Sequence, residues 1–303
     1  MKQETNNKKM TTQKQIPRTN DILFKKIFGS PKNSHILTGF INDILELGAV
    51  DVSIENTYNI NAFYEVNKSP EIRYTQVDVL ARLTDGRQVT IEMQVFPQRL
   101  FRERVFYYAA DIYTSNYGKH ALEESGSRYT KGERKYSALR PVYSICIMAE
   151  NEFEDDKSIH KFRLYDTENE MYYRKKLGQE VIMLTFLEIK KSSSKMKKNV
   201  KAWFDYFNAT DVAKEAPRYI HEACELANYK SLDDKEVAMI SARQKAIDAT
   251  LAREDYVWDE GKAEGKAEGK AELLRDMISR GKTIQEIAEF VGIGESEISS
   301  IIE

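Results

Sequence analysis

The stretch that most constrains the fold is VDVLARLTDGRQVTIEMQVF, residues 77–96. Apolar and polar residues alternate on both sides of Asp85-Gly86, which is the pattern of two half-buried strands joined by a tight turn. The apolar set of the two arms is Val77, Val79, Ala81 and Leu83, then Val89, Ile91, Met93 and Val95. Three polar residues lie on the opposite faces of these arms: Asp78, Glu92 and Gln94.

The length of the turn decides whether the acidic residues of the two arms share a face. A two-residue turn at Asp85-Gly86 would pair Asp78 with Met93 and place carboxylates among the buried apolar residues. A turn that starts one residue earlier pairs Asp78 with Glu92, with their Cβ atoms roughly 5 Å apart. A slip of one residue turns every side chain over, so the apolar pattern favours the three-residue turn. Its glycine can supply the left-handed conformation that such a turn needs.

Two carboxylates this close repel each other unless a cation lies between them. Hard divalent cations such as Mg²⁺ bind carboxylate oxygens. The hairpin therefore predicts a divalent-metal site with Asp78 and Glu92 as ligands. The alternative is a half-exposed strand pair whose outer face is merely acidic.

An aspartate, a hairpin turn and then Glu92-Met93-Gln94 resemble the active-site signature of the PD-(D/E)XK nuclease superfamily. Other segments are similar to its recombination-promoting nucleases, which are often labelled transposases. These segments are Thr19–Gly29, Arg104–Tyr113, Gly132, Tyr136 and Pro141–Met148. The resemblance covers about residues 17–260. It implies an α/β, restriction-endonuclease-like core, that is, a short mixed sheet flanked by helices, with a helical C-terminal extension.

The resemblance also implies a metal-dependent DNA endonuclease that hydrolyses phosphodiester bonds, with Mg²⁺ as cofactor and Mn²⁺ as the alternative. Asp78 and Glu92 would hold the metal, and the backbone carbonyl of Met93 and the side chain of Asp21 are further candidate ligands. As a first-turn residue, Asp21 has the alternative role of favouring the helix dipole.

The sequence departs from the superfamily signature at two positions. Val77 replaces its proline, which is a structural position, and Gln94 replaces its lysine. An amide hydrogen-bonds but carries no charge, so Gln94 is expected to position the attacking water. A catalytically weak or inactive DNA-binding remnant is one alternative function, and a helical self-assembly or interaction protein is another.

Basic and aromatic residues near the hairpin complete the predicted site. Arg104 is expected to hold a phosphate oxygen bidentately, and Lys25 and Arg102 are expected to contact phosphate. Tyr108 is predicted to orient a ligand or a water. The alternative is that these basic side chains are simply solvated and that the tyrosine only packs.

Composition is compatible with this function but does not indicate it. The formal charge is −2, from 46 basic and 48 acidic residues, so a DNA enzyme of this kind must concentrate its Lys and Arg on one face. The sequence predicts no membrane span and no secretory signal. Of its two cysteines, Cys146 and Cys224, Cys146 lies in a strand-like apolar run and is expected to be a reduced core residue, as in the cytoplasm.

Periodicity and caps predict the order of elements along the chain. The predicted helices are Asp21–Phe28, Ser34–Leu47 and Gln98–Tyr117, and the predicted strands are Val52–Tyr58, the hairpin, Val142–Met148 and Val181–Ile189. A polar loop is predicted for residues 118–135, and helices dominate after Ser194.

The sequence predicts four parts: a disordered tail (1–16), the nuclease-like domain with a helical C-terminal part (17–260), a connector (261–272) and a small helical module (273–303). The connector is three copies of Gly-Lys-Ala-Glu, a helical segment weakened by its glycines and by like charges four residues apart. The module is predicted to be three short helices resembling a helix-turn-helix, with a capping box at Thr283 and Glu286. Its last helix has no Arg or Lys to contact DNA, so a packing or homo-oligomerisation role is the alternative.

Overall fold

The computed structural model describes residues 16–56, 78–118, 135–174, 180–191 and 195–302. Val77, Gly132, most of the predicted 118–135 loop and most of the predicted tail lie outside these ranges. Packing divides the chain into two compact units, residues 1–240 and 241–303. The boundaries drawn from the sequence after residues 16, 260 and 272 stay predictions.

The first unit contains all the strands described and the first helices. These elements are α1 (Asp21–Phe28), α2 (Ser34–Leu45), β1 (Val52–Ile54), β2 (Val79–Leu83), β3 (Gln88–Gln94), α3 (Phe101–Ser115), β4 (Val142–Met148), β5 (Ile159–Arg163), β6 (Tyr165–Asp166), β7 (Met171–Tyr172), β8 (Ile182–Glu188), α4 (Lys198–Phe207) and α5 (Arg218–Leu226). Short 3₁₀ turns occur at Pro31–Asn33 and Tyr229–Ser231. The remaining helices are α6 (Asp234–Ser279), α7 (Ile284–Val291) and α8 (Glu295–Ile302).

Six strands of the described residues form one mixed sheet in the order β1-β2-β3-β4-β8-β5. The β1–β2 and β2–β3 pairs are antiparallel, the β3–β4 and β4–β8 pairs are parallel, and β5 pairs antiparallel with β8. A central parallel strand is covered on both faces and is expected to be apolar throughout. β4 meets that expectation, because all seven of its residues are buried.

The two faces of the sheet are covered by different helices. One face packs against α1, α2, α4 and α5 in the main core, where Phe28, Phe40 and Trp203 are fully buried. The other face packs against α3 through Phe101 and Val105, which meet Cys146 and Phe186. This arrangement confirms the mixed sheet flanked by helices that the sequence predicted.

The predicted elements occur with small shifts at their ends. α1 has the predicted bounds because the side chain of Asn20 accepts from the backbone N–H groups of Ile22 and Leu23. α3 starts three residues later than predicted, after Leu100 in a left-handed conformation. β5 and the small β6–β7 hairpin were not predicted. Their residues are largely exposed and lack the apolar alternation that marks a half-buried strand.

The second unit has its own small core, built from Leu274, Ile287 and Ile298. The first of the three short helices predicted for the module is not separate: residues 273–279 are the end of α6, which also includes the Gly-Lys-Ala-Glu repeat. Thr283 and Glu286 form the predicted capping box. Among the helices in the described ranges, none combines the length and apolarity needed to cross a membrane.

Candidate active site

The β2–β3 hairpin adopts the three-residue turn that the apolar pattern favours. Val79 pairs with Ile91, and the N–H of Leu83 donates to the carbonyl of Arg87 across residues 84–86 (2.8 Å). Gly86 has φ of +85°, the left-handed conformation that a side chain would disfavour. Continued by one residue, this register sets Asp78 opposite Glu92.

Asp78 lies just before β2 and is held from two sides. Its Oδ2 accepts from the backbone N–H of Met93 (2.9 Å), and its Oδ1 lies 3.2 Å from Nζ of Lys25 on α1. Asn56 fixes the start of the strand, since its side chain bonds the carbonyl of Asp78 (3.4 Å) and the N–H of Leu80 (2.5 Å). Burial raises the pKa of Asp78, against the lowering effect of Lys25 and of the N–H of Met93.

Glu92 lies in the middle of β3, on the face covered by α3. Burial and, to a smaller extent, the charge of Asp78 raise its pKa to about 7, while Arg104 acts in the opposite direction. A carboxyl with this pKa is partly protonated at neutral pH. The two acids therefore repel each other within a poorly solvated site, which is the electrostatic condition in which a cation binds favourably.

Gln94 lies two residues beyond Glu92 on the same face of β3 and is buried. Its Oε1 accepts from Nη2 of Arg104 on α3 (3.1 Å), and its Nε2 donates to the carbonyl of Phe96. The other terminal nitrogen of Arg104 donates to Oε1 of Gln98. The guanidinium carbon also lies 5.2 Å from the ring centroid of Phe101. Arg104 is therefore fixed beside the acidic pair.

Three further predicted residues have different relations to this pair. Asp21 adds to the rise in the pKa of Asp78, so its charge acts on the site, although its Oδ1 accepts from the N–H of Ile22 (3.0 Å) as a first-turn residue does. Tyr108 is half-buried next to Arg104 and Glu92, and burial raises its pKa. Arg102 is not brought to the pair, because its Nε binds Glu152 (2.8 Å) on the surface.

The arrangement can be compared with known proteins. Residues 18–255 match the family model described as PD-(D/E)XK nuclease family transposase. The chain belongs to this family. No curated protein and no solved structure matches the chain significantly.

Membership of a nuclease family raises the question of a divalent metal, and the residues fit one. Asp78 and Glu92 offer hard oxygen donors whose mutual repulsion a cation would relieve. Within the described ranges no group of three or more His, Cys, Asp or Glu residues could hold a metal ion. Mg²⁺ does not need such a group, since it commonly takes one or two carboxylates and completes its shell with waters and substrate phosphates.

Two residues of this nuclease-family site were not identified from the sequence. Gln98 binds Arg104 but precedes α3 in a segment without regular periodicity. Cys146 on β4 pairs in register with Glu92, and burial raises the pKa of its thiol well above the usual value. This buried thiol is therefore neutral at ordinary pH and lies beside Glu92. Cys146 and Glu92 are brought together only by the parallel pairing of β3 with β4, which the local sequence does not encode.

Proposed function

We propose that this chain is a divalent-metal-dependent endonuclease that hydrolyses phosphodiester bonds in DNA, in the manner of recombination-promoting, transposase-like enzymes. The single observation that carries the proposal is the placing of Asp78 and Glu92 side by side on an antiparallel hairpin, both with raised pKa values. Two buried carboxylates that repel each other destabilise the metal-free site, and a cation that binds between them relieves this repulsion.

We assign the metal-holding role to Asp78 and Glu92, with Mg²⁺ as the cofactor and Mn²⁺ as a substitute. When bound, such a cation polarises a phosphate oxygen and makes a water a better nucleophile near neutral pH. The backbone carbonyl of Met93 is a further candidate ligand. Its N–H already points to Asp78, and the N–H and C=O of one strand residue face the same neighbouring strand. Asp21 is the fourth candidate, since its charge acts on the same site.

Substrate binding is assigned to basic residues at the border of the acidic pair. Arg104 presents a planar guanidinium suited to two phosphate oxygens, and Lys25 places an ammonium 3.2 Å from Asp78. Arg102 could contact only a more distant phosphate, after leaving Glu152. Tyr108 is assigned to orient a ligand or water through its hydroxyl.

Cleavage of supercoiled plasmid with Mg²⁺ or Mn²⁺ tests the proposal. We expect nicking by the wild-type chain, and a fall in rate of about 100-fold or more in Asp78→Asn and in Glu92→Gln, because each variant removes a ligand charge worth roughly 3 kcal/mol. Asp85→Asn is the matched control, since this carboxylate is on the same hairpin but pairs with Arg87 at the turn (2.6 Å).

An intact plasmid with folded wild-type protein would contradict the endonuclease proposal. Metal binding without cleavage, lost in Asp78→Asn and Glu92→Gln, would then favour the DNA-binding remnant. Folding without affinity for metal or DNA would favour the assembly protein.

We also propose that the protein is cytoplasmic, and its two free cysteines support this location. Self-association through the C-terminal helices is proposed on the exposed Val257 and Trp258 of α6.

A further inference from the structure

The amide of Gln94 is already engaged at both ends within the protein. Its oxygen accepts from Arg104 (3.1 Å) and its nitrogen donates to the carbonyl of Phe96. Because the residue is buried, its orientation is fixed by these two partners rather than by solvent. An amide oriented in this way presents its oxygen to the guanidinium on the neighbouring helix.

Arg104 depends on glutamine side chains for its position. Its two terminal nitrogens donate to Gln94 and Gln98, one each, and no carboxylate forms a salt bridge with it among the described residues. Its Nε is buried without a hydrogen-bond partner. A neutral acceptor orients a guanidinium without neutralising it, so the full positive charge stays available to other groups.

That charge is directed at the acidic pair. Glu92 and Gln94 are two residues apart on β3, so their side chains share a face about 7 Å apart along the strand. A guanidinium bound to the second residue is therefore close to the first. Consistent with this, Arg104 lowers the pKa of Glu92 against the effect of burial. On the other side of the pair, Lys25 forms a direct salt bridge with Asp78 (3.2 Å) and lowers its pKa.

We propose that Gln94 is a positioning residue, which acts by holding the guanidinium of Arg104 beside Glu92, where it can engage the substrate phosphate. The inference rests on the proposed nuclease function of the same site. It differs from the role expected from the sequence, in which Gln94 positions the attacking water directly. The amide of Gln94 orients the guanidinium, and Arg104 supplies the positive charge.

A double-mutant cycle distinguishes these two roles. Gln94→Met removes the acceptor at nearly constant volume, and Arg104→Met removes the charge. If Gln94 acts through Arg104, each variant weakens binding of a fluorescent DNA duplex in EDTA, and the double variant is no weaker than Arg104→Met alone. If Gln94 acts independently, the two losses multiply, and this result would overturn the inference. Gln88→Met is the matched control, since this buried glutamine of β3 accepts from Asn116, and it should leave DNA binding unchanged.

A second readout does not require DNA or activity. In metal-free protein labelled with ¹⁵N-arginine, the Nε–H signal of Arg104, assigned by its absence in Arg104→Lys, should report an ordered side chain in the wild type. The Arg104 side chain should become disordered in Gln94→Met and stay ordered in Gln94→Glu, whose carboxylate still accepts from the guanidinium. An equally ordered Arg104 in Gln94→Met would contradict the inference. If Gln94→Met fails to fold, Gln94→Asn, which is one methylene shorter, replaces it.

Cleavage assays on the same variants separate this inference from the nuclease proposal. With active wild type, Gln94→Met should raise KM as Arg104→Met does, with no additive effect in the double variant. Inactive wild type would contradict the nuclease proposal. Non-additive binding and loss of Arg104 order in Gln94→Met would still support the positioning role.

Discussion

At the residue scale, Glu92 gives the metal-free protein an unusual dependence on pH. Its folded pKa of about 7 lies above its ordinary value of 4.5, so between these two values the folded state binds the proton and the unfolded state does not. Stability therefore falls as pH rises from about 4.5 to 7 and changes little above that range. The pKa shift of Glu92 corresponds to a change of at most about 3 kcal/mol in the free energy of unfolding.

Urea unfolding in EDTA across this range measures the effect. We expect the midpoint to decrease from pH 5 to pH 8 in the wild type, and Glu92→Gln to flatten this dependence and to be more stable than the wild type at pH 8. Added Mg²⁺ should restore stability at pH 8 in the wild type but not in Glu92→Gln. A wild-type midpoint that rises over the same range would contradict the burial of an uncompensated carboxyl.

At the scale of the element, the hairpin depends on one glycine. Gly86 has φ of +85°, and a Cβ there would lie 2.9 Å from Nε of Arg140. Because the arginine side chain can move, the cost of Gly86→Ala is mainly that of the backbone conformation, about 1–2 kcal/mol. Urea unfolding should show this loss of stability.

The matched control is Gly261→Ala in α6. That glycine is helical with open space around its Cβ position, so the substitution should stabilise the helix by up to about 1 kcal/mol. A stabilising Gly86→Ala would show that the turn does not require the left-handed conformation.

Elements with a strong hydrophobic periodicity were predictable from the sequence. Elements that depend on strand pairing or tertiary packing with distant parts of the chain were not. The hairpin register followed from alternation alone, because a one-residue slip would turn acidic side chains onto the apolar core face. β5 was missed because its strand state is imposed by pairing with β8. The position of Arg104 near Glu92 was anticipated only as a possibility of the neighbouring helix, since its actual partners, Gln94 and Gln98, are defined by tertiary packing.

At the scale of the whole molecule, DNA binding must come from local rather than net charge. The chain has a formal charge of −2, so long-range attraction to DNA is weak and the contacts of Lys25 and Arg104 carry the electrostatic contribution. Two such phosphate contacts predict a logarithmic salt dependence of the binding constant with a slope of about −2 on duplex DNA. Anisotropy titrations at several salt concentrations measure this slope, and Arg104→Met should reduce its magnitude by about one. A slope unchanged by this substitution would remove Arg104 from the phosphate contacts.

The division into two units predicts that the C-terminal core can be weakened without loss of the site. Leu274, Ile287 and Ile298 pack together within residues 241–303, and every proposed catalytic residue belongs to the first unit. Ile287→Ala should cost roughly 2–5 kcal/mol of local stability, because a fully buried side chain leaves a cavity. Hydrogen exchange on the full chain should show faster exchange in α7 and α8, with unchanged protection in β2–β4 and unchanged plasmid nicking. Ser299→Ala on α8, whose hydroxyl bonds only its own helix among the described residues, is the control. Loss of nicking in Ile287→Ala, with the sheet still protected, would instead assign the second unit a part in engaging DNA.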